Sequence, residues 1–152
     1  MKRQILLPVA VARELRETFK VDRGILRRSL CYERNGPQAR LLRAAALERG
    51  GVVFTGEPAP RGYCPPVETS YEKDVITRSF GDRVELRVER STETATVVVD
   101  GAPVARFRRV TLDETGCILY SLEKIHDRLS APGEGGEGER DGDVASTTRL
   151  PS

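Results

Sequence analysis

The sequence predicts an α+β chain: an N-terminal bundle of three short helices, then a helix, a three-stranded antiparallel meander and a C-terminal helix, then a disordered tail. Three observations carry that prediction. Apolar residues recur every three or four positions between residues 9 and 49, the spacing of one helix face. They alternate with polar residues between 84 and 109, the spacing of a strand. Helical spacing then returns over 112–129 and stops.

Pro8 opens the first helix, because its ring presets φ and its missing N–H has no intrahelical partner there. Val11, Leu15 and Phe19, with Ala12 beside them, mark one face over 9–19. Lys20-Val21 breaks the spacing, and Asp22 is an N-cap for a second helix over 23–32 with Leu26 and Leu30 inward. Asn35-Gly36-Pro37 is a turn, and a third helix over 38–49 offers Leu41, Leu42, Ala45 and Leu47 before Gly50-Gly51 ends it. Residues 1–51 therefore form one module. Residues 52–66 read as a Pro/Gly-rich connector with a short strand at Val52–Phe54.

Residues 67–130 form a second unit. Tyr71, Val75, Ile76 and Phe80 predict a short helix closed by Gly81. Val84, Leu86 and Val88 make the first strand and Thr96–Val99 the second, and Asp100-Gly101 turns into the third, Val104–Arg109. The last helix presents Ile118, Leu119, Leu122, Ile125 and Leu129, a stripe long for covering three short strands, which points to a homodimer. Residues 131–152 are rich in Gly, Glu and Asp without apolar period and read as a disordered acidic tail.

Net charge is only +2, but residues 1–49 carry +7 and the remainder −5, so a polyanion partner is expected for the front alone. Cys31, Cys64 and Cys117 contain no CxxC pair and His126 stands alone, which supplies no zinc ligand set and fits three reduced thiols in a cytoplasmic protein. Lys2 and Arg3 ahead of ILLPVAVA begin like a secretory leader. The apolar run is short, though, Pro8 interrupts it, and no polar cleavage region follows, so no leader is expected. No run approaches the roughly 20 apolar residues of a membrane span. Glu68, Glu72 and Asp74 read as a solvated face, and Ser29, Ser70 and Ser79 have no histidine near them in sequence. No P-loop or dinucleotide fingerprint occurs. No enzyme, cofactor, metal or small-molecule ligand is expected.

A helix-turn-helix holds its second helix rigidly across the first so that outward side chains enter the major groove. Leu15, Phe19, Val21 and Leu26 suit the buried positions, and Arg23, Arg27 and Arg28 lie along the outward side. FKVDRGILRRSL, followed by QARLLRAAALERGG, resembles the headpiece of LacI-type repressors. It is also similar to small helix-turn-helix proteins of bacterial mobile elements. The likeness covers residues 9–50. It implies that Arg23 and Gly24 take the first outward positions of a recognition helix, with Arg27 and Arg28 a turn later, where the family contacts bases and phosphates. Lys20 and Arg34 complete the implied DNA-binding set. The chain departs from the pattern at Lys20, where the family has glycine, at Arg16, where it has a small residue, and at Ser29, where it has an apolar one. Gly24 offers no side chain to read a base, and no sugar-binding core or hinge helix follows.

The expectation is duplex DNA binding, sequence-specific or semi-specific, by a small transcriptional regulator. The alternative is an assembly adaptor whose α+β half is the working surface. The helix–meander–helix order is also that of double-stranded RNA-binding domains, but those open the final helix with basic residues, and Thr111-Leu112-Asp113-Glu114 is acidic.

Overall fold

The computed structural model describes residues 1–131, and in it the chain is α+β with two antiparallel sheets. The order is β1 (Gln4–Leu6), α1 (Val9–Phe19), α2 (Arg23–Leu30), α3 (Pro37–Glu48), β2 (Val52–Phe54), β3 (Glu68–Glu72), β4 (Val75–Phe80), β5 (Val84–Glu89), β6 (Thr94–Val99), β7 (Ala102–Phe107) and α4 (Leu112–Ser130). The tail expected to be disordered lies, from residue 132 on, outside the described residues.

Local chemistry explains the helix ends. Lys20 closes α1 in the left-handed conformation, φ 53° and ψ 49°, where its own N–H and that of Val21 both reach the carbonyl of Arg16. Asp22 caps α2 by accepting the N–H of Ile25 at 2.8 Å. Pro37 occupies the first turn of α3. Thr111 and Glu114 form a capping box at the start of α4.

The three N-terminal helices close on Leu15, Leu26, Leu30, Leu42, Ala45 and Ala46. Leu41 and Leu47, expected to pack, are instead exposed. Alanines take their place because α3 approaches α2 and α1 through its small-residue side. Ser29 is fully buried where an apolar residue would be usual. Its hydroxyl donates to the Ile25 carbonyl at 2.8 Å, so burial leaves no polar atom unsatisfied.

Two expectations about the rest are corrected. The segment around Tyr71–Phe80 is the β3–β4 hairpin and not a helix, so the sheet is a five-stranded meander in the order β3-β4-β5-β6-β7, not three-stranded. The spacing of Tyr71, Val75, Ile76 and Phe80 fits a helix face. Two-residue alternation of Ile76, Arg78 and Phe80 against Val75, Thr77 and Ser79 fits a strand as well. The strand wins because β4 then gives β5 a full hydrogen-bonded neighbour, from Val75↔Glu89 to Phe80↔Val84. A helix there would leave β5 as an open edge. With no helix before the strands, the element order shared with double-stranded RNA-binding domains disappears.

The second correction is the unexpected strand β1, which pairs antiparallel with β2 in the register Gln4↔Phe54, Ile5↔Val53, Leu6↔Val52. This ribbon has no solvent face. Ile5, Leu7 and Val53 join the helical core, whereas Leu6, Val52 and Phe54 join the core between the large sheet and α4. The connector is likewise strapped down: the Gly56 N–H donates to Ser121 Oγ at 3.0 Å, Cys117 Sγ donates to the Gly56 carbonyl at 3.2 Å, and Tyr63 donates to Glu123 at 2.6 Å. On α4, Ile118, Leu122 and Ile125 are buried in the chain's own core, and Leu129 packs against it. The stripe that suggested self-association is thus accounted for within one chain.

Candidate nucleic-acid interface

Helix α2 advances by about 100° per residue, so burying Leu26, Ser29 and Leu30 determines where its arginines go. Gly24 and Arg28 fall opposite the buried side. Arg23 and Arg27 fall on the flank next to Leu30. All three arginines are exposed. A Cβ built on Gly24 would lie 3.5 Å from Arg28 Nη1 and from Asp22 Oδ1, so the Arg28 head lies over the first turn of its own helix.

The flank holding Arg23 and Arg27 borders a groove of about 550 Å³ between the helices and β7. Its floor is apolar, with Ile5, Leu7 and Leu26 on one side and Val104 and Phe107 on the other. Four arginines surround it: Arg16 from α1, Arg23 and Arg27 from α2, and Arg106 from β7. Among the described residues no carboxylate lines it. Among the described residues, none of these four nor Arg28 forms an ion pair. The groove therefore concentrates positive charge over a surface of low polarizability, where a bound anion gains most.

Several other cations of the front segment have partners, whereas Arg13 and Arg40 are exposed and form no ion pair among the described residues. Lys2 pairs with Glu33 at 2.5 Å, and this contact holds the Glu33 carboxyl below its usual range. Arg49 pairs with Glu14 at 3.3 Å. Arg43 donates to the carbonyls of Ser29 at 2.9 Å and Arg34 at 2.8 Å, with its guanidinium 4.6 Å from the Tyr32 ring centre. Burial draws its pKa down, as expected of a cation removed from water to tie α2 to α3. Arg34, an expected DNA contact, is half-buried, and its enclosed Nη1 has no hydrogen-bond partner among the described residues. Lys20 is exposed in the turn between α1 and α2.

The structure thus groups Arg23 and Arg27 at one groove, sets Arg28 on the outermost side of the same helix, and separates Arg34 from them. It adds Arg16 and Arg106, neither of which counted as a contact in the sequence. Arg16 stood out only as too large for a helix crossing. The run Arg106-Phe107-Arg108-Arg109 was visible as basic, but its meeting with α2 depends on how the sheet docks.

A second constellation needs weighing. Ser130 Oγ lies 3.4 Å from His126 Nε2, and Asp127 Oδ1 lies 3.4 Å from Nδ1. The order is that of a nucleophilic triad, but the contacts are long and all three residues sit in the last turns of α4. The negative end of a helix dipole opposes an oxyanion there, where a hydrolase needs donors for one. Cys31 at the groove wall has its thiol pushed up chiefly by burial, the reverse of an activated thiolate. Among the described residues no three His, Cys, Asp or Glu side chains gather to hold a metal. No described helix is long and apolar enough to cross a membrane.

What the fold and groove define is an α+β protein with an arginine-rimmed cleft beside a short surface helix. No protein-family model, no curated protein and no solved structure matches the chain.

Proposed function

We propose that the chain binds duplex DNA through α2, as a small transcriptional regulator. The observation that carries this is the set of exposed arginines on one short helix, which, among the described residues, are free of ion pairs and border a groove without carboxylates. Phosphates attract and position the basic face, and a guanidinium presented edge-on can donate two hydrogen bonds to guanine N7 and O6. Arg28, outermost on α2, is the natural base reader. Arg23 and Arg27, set to one side, suit the backbone.

Fluorescence anisotropy with labelled duplexes at two salt concentrations tests this. Arg27→Ala should lower affinity about equally on all sequences and reduce the salt slope by about one unit. Arg28→Ala should cost about 1–3 kcal/mol and relax preference at one base pair. Parent-like binding by both variants would overturn the proposal. Retained binding to single-stranded or double-stranded RNA, with none to DNA, would replace it.

A further inference from the structure

The large sheet has two faces, and α4 covers one of them. Alternation puts Val84, Leu86, Ala95 and Val97 beneath α4 and sends Arg87, Thr94 and Thr96 to the opposite face. In the register, Arg106 of β7 stands beside Thr96 and Arg87 of β5 stands on its other side. After β7 the chain does not continue as a strand. Arg109 takes φ 55°, and the N–H of Val110 donates to the Glu93 carbonyl at 3.2 Å, which keeps Arg108 and Arg109 beside this face.

The result is a concavity of about 680 Å³ lined by Arg87, Arg106, Arg108, Arg109, Thr94 and Thr96 among others. Among the described residues Glu89 is the one carboxylate in its lining. Glu85 pairs with Arg87 at 2.5 Å, but Arg106, Arg108 and Arg109 form no ion pair among the described residues. Arg106 also lines the groove beside α2. The two basic surfaces therefore meet around the β7 edge. From β7 to β5 is two strand spacings, about 10 Å, a breadth on which guanidinium groups and threonine hydroxyls can follow a backbone without reading any base.

We propose that the outer face of β5–β7 is a second phosphate-binding surface, which takes the backbone of the same duplex that α2 engages. This rests on the α2 reading, and it assigns the sheet a sequence-independent share of the affinity. Charge selects the occupant: three guanidinium groups, unpaired among the described residues, beside threonine hydroxyl groups suit a row of phosphodiesters.

The test uses the full chain, with circular dichroism confirming the fold of each variant. Arg108 and Arg109 are exposed, so Ala at both positions should leave the fold intact. The double variant R108A/R109A should bind duplex DNA several-fold more weakly on every sequence, with the salt slope falling by about two units. R108K/R109K should restore most of the affinity, since a point charge suffices for a phosphate. Parent-like binding by R108A/R109A, alongside weakened binding by Arg28→Ala, would overturn the second surface and leave α2 standing. The opposite pattern would support the sheet surface and overturn the α2 assignment. Unchanged DNA affinity with lost binding of polyglutamate would overturn the proposal in favour of an acidic protein partner.

Discussion

At Lys20 the backbone sits at φ 53°, a left-handed conformation that strains any side chain with a Cβ by about 1–2 kcal/mol. Four positions on, Gly24 lies inside α2 with ordinary helical φ and room for a methyl group, where glycine costs about 1 kcal/mol relative to alanine. The two residues are each in the other's preferred setting. Lys20→Gly and Gly24→Ala should therefore each raise the urea midpoint, by an amount equivalent to about 0.5–1 kcal/mol. A fall in stability for Gly24→Ala would show that the first turn of α2 is not helical as described. The arginines divide by a similar logic. Arg43→Ala should destabilise the chain by about 1.5–3 kcal/mol, because it strips charge-assisted hydrogen bonds from two carbonyls at the α2–α3 junction. Arg28→Ala should leave the midpoint within about 0.5 kcal/mol, as an exposed residue without an ion pair among the described residues. Chemical denaturation of the two variants side by side distinguishes an arginine that holds the fold from one that faces a ligand. The sequence already placed Arg23, Arg27 and Arg28 outward, since that follows from spacing within one helix. It did not distinguish Arg34 from them, because enclosure is decided by a neighbouring helix.

Among the elements, α1 to α4 were legible because each carries several turns of apolar period and a recognisable start, such as Asp22 or the Thr111–Glu114 pair. The strands from Val84 to Phe107 were legible from the alternation of Val84, Leu86 and Val88 with charged residues, from the Thr96–Val99 run and from Asp100-Gly101, both at positive φ as a two-residue hairpin requires. The β3–β4 hairpin was not, since its apolar residues satisfy either period and only the exposed side of β5 decides. Three-residue β1 is too short for any period to show. One lock across the neighbouring turns is also invisible in sequence: Ser91 donates to the Asp74 carboxylate from both its amide and its hydroxyl, and the Arg90 N–H donates to the Asp74 carbonyl at 2.8 Å. Those bonds, the hydroxyl's first, hold the Asp74 carboxyl below its usual range. A lowered pKa in the folded state means that the folded chain binds this proton less readily than the unfolded chain. The contribution is thus present above the ordinary carboxylate pKa and is lost as pH falls through the lowered value. A plot of urea midpoint against pH should show this acid limb, and Asp74→Asn should flatten it. An unchanged limb would mean that other carboxylates account for it.

For the whole molecule, the boundary expected near residue 51 cuts through a paired ribbon. A fragment 1–51 keeps β1 but loses β2, and with it Val53 from the helical core. It should be largely unfolded by circular dichroism, whereas an independent headpiece would give a helical spectrum and a sharp melt. The expectation of a connector over 52–66 came from composition, because its Pro and Gly residues look like a linker. Gly56, Tyr63 and their partners on α4 show how such a stretch is instead tied down. The ribbon also governs how motion spreads. Val53 and Phe54 are neighbours in sequence but belong to different cores, so the backbone between them cannot open without loosening both. Amide protons of α2 and of β5 should therefore exchange with solvent through shared opening events. A Phe54→Ala variant, altered only on the sheet side, should speed exchange at Leu26 and Leu30 as much as at Leu86, because the helix proposed to meet DNA is only as steady as the sheet behind it.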